Sequence, residues 1–304
     1  MTLQQLRQVL TIAESNSMNE AAKKLFVSQP NLSATVREVE EELGITVFMR
    51  NNRGITVTAE GEEFLGYAKQ VVEQYHLLEN RYLNVESKKK FSVSMQHYSF
   101  AVKAFVQLAK EVGMDEYEFA VHETKTKEVI DNVKNLKSEI GVLYLSDFNE
   151  KVLRKLFKEC DIEFKELFTC NTYVYLWKKH PLAGKKVITL DDLQEYPCLT
   201  FEQGVNNSFY YAEEMMSTYE YKRVIKADDR ATMLNLMVGL NGFTLCSGII
   251  SEDLNGDDYA AIPLKESEKM HIGYIKHKGT KLSKLGEIYI CLLYTSDAAE
   301  TSRV

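Results

Sequence analysis

The stretch from Asn16 to Thr58 constrains the fold most, because it contains two short helices joined by a tight turn. The first helix has apolar residues at i, i+3, i+4 and i+7, which place on one face Met18, Ala21, Ala22 and Leu25. Ser28 is a suitable N-cap, and Pro30 is tolerated in the first turn of the second helix. That helix ends at Gly44, after an apolar face formed by Leu32, Val36, Val39 and Leu43. The pattern predicts a helix-turn-helix.

The leading end of the second helix carries polar side chains of the kind that contact base edges in a major groove. Gln and Asn suit adenine, Arg suits guanine, and a Pro ring can meet a thymine methyl group. The predicted base contacts are Gln29, Pro30, Asn31, Ser33 and Arg37. Ser28 caps the helix, whose N-terminus also favours a phosphate. The alternative, a helical pair packed into a larger core, fits this concentration of polar residues poorly.

Two β-branched segments after the second helix, Ile45 to Phe48 and Ile55 to Thr58, predict a hairpin wing. The sequence MRNNRG lies between them and contains a turn. Arg50 and Arg53 are expected to contact the phosphate backbone and to contribute affinity instead of sequence selectivity. For Arg53, a solvated turn residue is the alternative.

The segment SMNEAAKKLFVSQPNLSATVREVEEELGITVFMRNNRGITVTAEG resembles the winged helix-turn-helix of LysR-type transcriptional regulators. It has their paired alanines, SQP, a Ser three residues after the Pro, and the closing turn and glycine, with apolar departures at Val39, Val47 and Val57. The resemblance implies a bacterial regulator that binds double-stranded DNA at an interrupted palindrome. It also implies a homodimer or homotetramer and a possible contact with RNA polymerase.

The net charge of −7 by itself argues against binding to nucleic acid, but the distribution of charge matters more than its sum. Residues 1–58 contain six basic and six acidic side chains and are therefore neutral. We therefore expect one such DNA-binding head, residues 1–58, to bind DNA of any sequence weakly. Tight binding should require several heads that bind the same DNA together.

Residues 59–87 show a different repeat. Apolar residues recur in alternating steps of four and three at Phe64, Ala68, Val71, Tyr75, Leu78, Tyr82 and Val85. A repeat that averages 3.5 residues predicts a coiled-coil seam and hence a dimerising linker helix. A single amphipathic helix lying on its own domain, the alternative, would need a broader apolar stripe. The resemblance implies an antiparallel pairing of this helix, and the lysines at 88–90 predict a solvated hinge.

From Phe91 onward, strands and helices alternate in two successive series, which predicts two α/β lobes with parallel strands and crossover helices. A helix is predicted over Ser208–Ser217 in the second series. The order of elements, and above all KHPLAGKKVITLDDLQEYPCLTF, resembles the effector domain of the LysR type, a fold shared with bacterial solute-binding proteins.

The predicted fold class is therefore α/β, with a mainly α winged helix-turn-helix, a long linker helix and a two-lobed domain of the periplasmic-binding-protein type. The predicted boundaries are 1–58 for the head, 59–90 for linker helix and hinge, and 91–290 for the regulatory domain. Lobe I is predicted at 91–163 and 268–290, and lobe II at 164–267. The last stretch, CLLYTSDAAETSRV, resembles translated adapter sequence, so 291–304 is predicted to be a non-native tail.

The resemblance implies that a small-molecule effector of unknown identity binds between the lobes and is contacted from three turns. The residues at these turns are His97, Tyr98 and Ser99, then Thr124 and Lys125, then Thr200 and Phe201. Ser99 and Thr124 each precede a helix, where a hydroxyl and adjacent N–H groups can hold an anion. An ordinary cap or packing residue is the alternative at each position. His97 and Lys125 weakly indicate an acidic ligand.

The sequence lacks the motifs that are typical of enzymes, metal-binding proteins and membrane proteins. It has no G-x-S-x-G, Gly-rich phosphate loop or H-E-x-x-H, so we expect no enzyme. Five cysteines without C-x-x-C spacing and unclustered histidines predict no metal site and no cofactor other than the effector. The loop EQGVNNSF lacks a cysteine, although a constitutive or redox-controlled regulator remains an alternative, with a cytoplasmic solute-binding protein more distant. With no apolar run near membrane-spanning length and no basic leader, the expected location is cytoplasmic, away from membranes.

Overall fold

The chain divides into two units at the lysine run, Met1–Ser87 and Lys88–Val304. The computed structural model describes residues 1–15, 17–51, 54–82, 88–113, 116–206 and 208–298. Lys89 and Lys90, predicted in the hinge, are exposed but already belong to the first strand of the second unit. None of the described helices has the length and apolar character needed to span a membrane.

The described part of the first unit contains four helices and a two-stranded hairpin. These elements are α1 (Leu3–Ala13), α2 (Met18–Lys24), α3 (Gln29–Leu43), β1 (Phe48–Asn51), β2 (Gly54–Val57) and α4 (Ala59–Tyr82). Helix α3 begins where its Ser28 signal indicates, and α2 is capped in the same way by Ser17, because both hydroxyls accept hydrogen bonds from backbone N–H groups of the first turn. Gly44 ends α3 with a φ of 69°, the left-handed conformation that glycine adopts without strain.

The core of the first unit is formed by α1, α2, α3 and the hairpin. Its buried residues are Val9, Ile12, Met18, Ala21, Ala22, Leu32, Val36, Val39, Val47 and Phe48. Of the predicted apolar faces, Leu25 is only partly buried, and the assignment of Leu43 is wrong, because this residue is 39% exposed at the end of α3. Gly61 lies where α4 crosses the hairpin, and a Cβ atom there would approach the Val47 carbonyl oxygen to 2.3 Å. Strand β1 begins at Phe48, so the predicted start at Ile45 is wrong.

Helix α4 has two apolar faces instead of one seam. Ala68 and Val72 are buried against Leu6 of α1, and Phe64 packs on the same cluster. Phe64 and Ala68 are therefore covered within one chain. Farther along, the side chains of Val71, Tyr75 and Leu78 are 51%, 39% and 56% exposed. The side chain of Tyr82 and the whole of Val85 lie outside the described residues.

The second unit follows the predicted alternation of strands and helices. Its elements are β3 (Lys89–Met95), α5 (Ser99–Val112), β4 (Tyr117–Glu123), α6 (Thr126–Lys134), β5 (Ile140–Leu145), α7 (Glu150–Glu159), β6 (Ile162–Cys170), β7 (Tyr173–Trp177), α8 (Leu190–Leu193), β8 (Cys198–Phe201), β9 (Val224–Ala227), α9 (Arg230–Leu240), β10 (Thr244–Cys246), α10 (Glu252–Asn255), β11 (Tyr259–Pro263), β12 (Met270–His277) and α11 (Lys284–Ala298). Helix α7 is absent from the sequence-based prediction.

Lobe I is built on a five-stranded sheet in the order β4-β3-β5-β12-β6. Strand β3 is parallel to β4 and β5, as predicted, but β12 is antiparallel to both β5 and β6. Since β6 pairs with β12, residues 164–170 belong to lobe I, and the predicted boundary after residue 163 lies too early.

Lobe II contains a three-stranded antiparallel sheet, β10-β7-β11, and the parallel pair β8-β9. The helix predicted over Ser208–Ser217 is wrong, because only Phe209–Tyr211 form a short 3-10 helix. Glu213 and Glu214 follow it with both side chains buried and hydrogen-bonded to different partners. The backbone at Glu213 and Glu214 is not helical, and both carboxyl groups lie in the interior.

The final helix extends beyond the predicted start of the non-native tail. Helix α11 runs to Ala298, and Leu293 is fully buried in the core of lobe I. Residues 299–304 lie outside the described part of the chain.

The predicted pairing of α4 between two chains can be tested at Leu78. Replacing Leu78 by Glu would place a charge in an apolar contact, and the dimer dissociation constant should rise at least about tenfold. Sedimentation velocity over a concentration series measures this change. Leu254→Glu is the matched control, since Leu254 is an exposed leucine of α10. An unchanged sedimentation coefficient for Leu78→Glu would contradict the pairing.

Candidate nucleic-acid interface and interlobe site

Helix α3 separates an apolar face from a polar one. Leu32, Val36 and Val39 are buried in the core of the first unit. The side chains of Ser28, Pro30, Asn31 and Arg37 are exposed, and those of Gln29 and Ser33 are half-buried. The Gln29 Nε2 group donates a hydrogen bond to Ser33 Oγ at 3.0 Å. This bond holds two of the residues predicted to contact bases next to each other. The polar face is therefore open at the surface of this unit.

The wing is present as the antiparallel pair β1-β2, with Arg50 opposite Ile55. The side chain of Arg50 and the whole of Arg53 lie outside the described residues. Their predicted phosphate contacts stay predictions.

Glu40, which is not among the predicted site residues, connects α3 to the wing. One carboxylate oxygen, Oε1, accepts hydrogen bonds from the backbone N–H groups of Val47 at 2.7 Å and Phe48 at 3.0 Å. These contacts fix where β1 begins. Glu40 follows Val36 by four residues and therefore lies on the same side of α3 as the apolar face. A carboxylate at such a position was the sequence signal that could have indicated its role.

Some basic groups of the first unit take part in ion pairs within the chain. The Arg7 guanidinium lies 3.3 Å from Glu79 and 5.3 Å from the centre of the Tyr75 ring, and Lys24 pairs with Glu20 at 3.0 Å. Such surface pairs add little stability, but they reduce the positive charge that faces a phosphate backbone.

Two of the three predicted effector turns meet in the second unit. His97 follows β3 of lobe I, and Phe201 ends β8 of lobe II. Their rings stack with centroids 3.6 Å apart and planes inclined by 4°. This contact brings together the carboxyl ends of a strand from each lobe, where ligands of α/β folds usually bind.

A buried carboxylate lies beside this ring pair. Glu213 Oε2 accepts a hydrogen bond from the His97 backbone N–H at 3.0 Å and lies 2.8 Å from His97 Nδ1. Its other oxygen accepts from Gln203 Nε2 at 3.0 Å. Gln203 Oε1 in turn accepts from the Thr126 N–H at 3.1 Å, so the amide links the lobes at the N-terminus of α6. Neither Gln203 nor Glu213 was among the predicted residues.

The other predicted effector residues have individual partners. Tyr98 is buried, and its hydroxyl donates to Gln96 Oε1 at 2.9 Å. The Ser99 hydroxyl, also buried, accepts from the Ser251 N–H at 3.2 Å. Thr124 is hydrogen-bonded to Glu128, and Thr200 lies opposite Lys226 in the β8-β9 pair. Tyr98, Ser99 and Thr124 are thus engaged in packing or local hydrogen bonds.

Charged groups also connect the lobes. Lys125 Nζ lies 3.5 Å from Asp228, and Arg230 pairs with Glu123 at the end of β4. Lys125 therefore already has an anionic partner within the chain.

Glu214 occupies a more apolar position than its neighbour. Its Oε1 accepts a hydrogen bond from the Phe201 N–H at 2.8 Å. Burial raises the pKa of Glu214 to about 8, and the nearby charge of Glu213 acts in the same direction. Glu214 is therefore mostly protonated at neutral pH.

Comparison with protein families agrees with both parts of this description. A family described as bacterial regulatory helix-turn-helix proteins of the lysR family matches residues 3–62. The LysR substrate binding domain matches residues 114–288, more than half of the chain. The chain belongs to the LysR family of transcriptional regulators. It is accordingly a DNA-binding regulator with a substrate-binding domain, and effector-controlled regulation is typical of its family.

Relatives cover nearly the whole chain. CysL, an HTH-type transcriptional regulator of Bacillus subtilis, is 25% identical over 299 residues, which cover 95% of each protein. Among solved structures, a variant of full-length OxyR from Pseudomonas aeruginosa has a TM-score of 0.66 at 19% identity, covering 97% of this chain and 98% of that one. The LysR family regulator CbnR has a TM-score of 0.58 at 18% identity, with coverage of 97% and 99%. These structural likenesses show the fold.

The contact of Glu40 with the wing predicts a specific loss of stability. Glu40→Ala removes the acceptor of two N–H groups that have little access to water, which should cost roughly 1–3 kcal/mol of unfolding free energy. Glu40→Gln retains an acceptor oxygen and should lose less. Denaturant unfolding of both variants measures the difference. Equal stability of Glu40→Ala and the wild type would exclude this role.

The raised pKa of Glu214 predicts that stability falls as pH rises. The folded state retains a proton up to about pH 8, whereas the unfolded carboxyl loses its proton near its ordinary pKa of 4.5. The contribution of protonated Glu214 to the free energy of unfolding is therefore fully present below about pH 4.5. It is lost as pH rises to about 8, at about 1.4 kcal/mol per pKa unit. Glu214→Gln should weaken this dependence and should unfold at a higher temperature than the wild type at pH 8. Melting curves between pH 5.5 and 8 test this, with the exposed Glu220→Gln as control; parallel wild-type and Glu214→Gln profiles would contradict it.

Proposed function

We propose that this LysR-type regulator reads specific DNA bases with the leading end of α3. The exposed polar face of that helix supports this assignment, since Gln29, Asn31 and Arg37 carry groups that form paired hydrogen bonds with bases. Arg50 and Arg53 hold the wing on the phosphate backbone in this proposal. A neutral head binds weakly alone, so selectivity depends on several heads that bind one interrupted palindrome together.

We further propose that α4 joins two subunits. The exposed residues Val71, Tyr75 and Leu78 support this proposal, because three neighbouring apolar side chains on one helix face favour contact with another apolar surface. Phe64 and Ala68 contribute to the unit's own packing in this proposal, and the pairing begins beyond them.

An effector bound between the lobes controls the regulator in our proposal. The observation that carries this part is the stacked pair His97–Phe201, which joins the carboxyl end of one strand from each lobe. A ligand that enters beside these rings changes the contacts between the lobes. To shift the assembly between states, it must bind one arrangement more tightly than the other.

Redox control is the less favoured candidate. Burial raises the pKa of the Cys160, Cys198 and Cys246 thiols. Peroxide reacts with the thiolate, so thiols held in the protonated form react slowly. For these three thiols, the observation argues against control by oxidation.

A gel-shift titration tests the proposed function. The probe is the intergenic DNA upstream of the protein's own coding sequence, in the presence of excess competitor DNA. Gln29→Ala should weaken specific binding by about 10- to 100-fold, the equivalent of about 1–3 kcal/mol, and leave non-specific binding nearly unchanged. The same probe is then used to screen metabolites for a change in mobility.

The control is Gln107→Ala, which removes an exposed glutamine of α5 in the second unit. It should bind like the wild type. If Gln29→Ala reduces specific and non-specific binding equally, the base-contact assignment is wrong.

A further inference from the structure

We infer that the Glu213 carboxylate is a resident ligand of the interlobe site: it fills a carboxylate-binding position formed by His97 and Gln203. A small carboxylic acid is the class of external ligand that this position accepts, and such a ligand must displace Glu213. This inference rests on the proposed function in one respect, namely that the interlobe site is the sensory site.

The donors around Glu213 satisfy both carboxylate oxygens. The His97 N–H and Nδ1 are at 3.0 and 2.8 Å from Oε2, and Gln203 Nε2 is 3.0 Å from Oε1. The Glu213 and His97 side chains are only 5% and 7% exposed. Two N–H donors and a ring nitrogen directed at two oxygens in a buried position form a carboxylate site, and hydrogen bonds to ionised groups are stronger than those between neutral groups.

These donors come from two lobes, whereas the carboxylate comes from a segment that extends from lobe II. His97 belongs to lobe I and Gln203 follows β8 of lobe II. Glu213 therefore bridges the lobes in the way that an external ligand would. Gln203 is fixed in turn by the Thr126 N–H at 3.1 Å, so its amide group keeps a defined orientation.

The segment 208–217 is held against lobe I by contacts on both sides of Glu213. The Thr126 hydroxyl donates to the Tyr211 carbonyl at 2.7 Å, and the Tyr144 hydroxyl donates to the Ala212 carbonyl at 3.0 Å. The Tyr210 ring stacks on Phe148, with centroids 4.9 Å apart. Met215 is buried in the core of lobe I. Displacement of Glu213 therefore requires this segment to move, which couples ligand entry to the contacts between the lobes.

Covalent attachment gives Glu213 an advantage over a free carboxylate. A group tethered near its site acts at an effective concentration in the millimolar range or above. A free acid with no other contacts does not compete at lower concentrations. Removal of the Glu213 side chain should therefore create a site for an external carboxylate.

The experiment is a chemical rescue of the full-length protein with acetate and propionate. Glu213→Ala should melt roughly 4–8 °C below the wild type, because the His97 N–H, the His97 ring nitrogen and the Gln203 amide lose their hydrogen-bond partner. Acetate or propionate should restore at least half of that loss with half-saturation on the order of 10 mM, as expected for a ligand of so few atoms. Acetamide and sodium chloride at equal concentration should restore nothing, and the wild type should not respond.

Glu220→Ala, which removes an exposed carboxylate from the same loop region, is the matched control and should not respond to acetate. If Glu213→Ala does not fold, Glu213→Ser takes its place, because its short polar side chain leaves the carboxylate position open. Acetate should then change its melting temperature at concentrations that leave the wild type unaffected.

Two results would overturn the inference: a loss of stability that neither acid reverses, or a wild type that responds to acetate as strongly as the variant. Gel shifts on the same samples distinguish a failure of this inference from a failure of the proposed function. Rescue of melting without any acetate-dependent change in DNA mobility supports the resident ligand and contradicts the sensory role of the site. Failure of the rescue, while another metabolite changes DNA mobility, leaves the sensory role intact and overturns the inference.

Discussion

The contact between the carboxyl ends of β3 and β8 is the interaction on which the second unit depends. Each lobe has its own sheet and core, and the stack of His97 on Phe201 joins a strand end of one to a strand end of the other. Backbone N–H groups at such strand ends need acceptors, and the Glu213 and Glu214 carboxyl groups supply them to His97 and Phe201. Two adjacent acidic residues thus satisfy the polar groups exposed at the junction.

The burial of both glutamates at this junction also explains the raised pKa of Glu214. Burial disfavours the charged form of a carboxyl group, and a neighbouring negative charge acts in the same direction. Burial, followed by the charge of Glu213, raises the pKa of Glu214 to about 8, even though its carboxyl group accepts the Phe201 N–H. Protonation of Glu214 therefore lowers the repulsion between the two carboxyl groups at the junction.

The sequence was most informative where structure depends on local spacing. The apolar face of α3, its Ser28 cap and the end at Gly44 follow from residues within one or two turns of each other, and these predictions are confirmed except at the exposed Leu43. The start of β1 at Phe48 was not predictable in this way, because it depends on the Glu40 side chain, eight residues earlier in the chain.

Non-local contacts account for the remaining errors. The assignment of β6 to lobe I depends on its pairing with β12, about a hundred residues later in the chain. Glu213 and His97 are 116 residues apart, so no periodicity relates them. The repeat in α4 was real, but spacing alone does not reveal that α1 covers Phe64 and Ala68 while Val71 and Leu78 stay exposed.

A tethered carboxylate also determines what kind of ligand such a site can detect. A ligand that offers only the same carboxylate contacts cannot favour the displaced state at modest concentration, since Glu213 already makes those contacts without loss of translational freedom. Discrimination must come from the remainder of the ligand, through contacts that the two methylene groups of Glu213 do not make. The stacked rings of His97 and Phe201 are the adjacent surface for such contacts. The internal carboxylate therefore raises the concentration that any small acid needs to bind. Selectivity then depends on the part of the ligand outside its carboxylate.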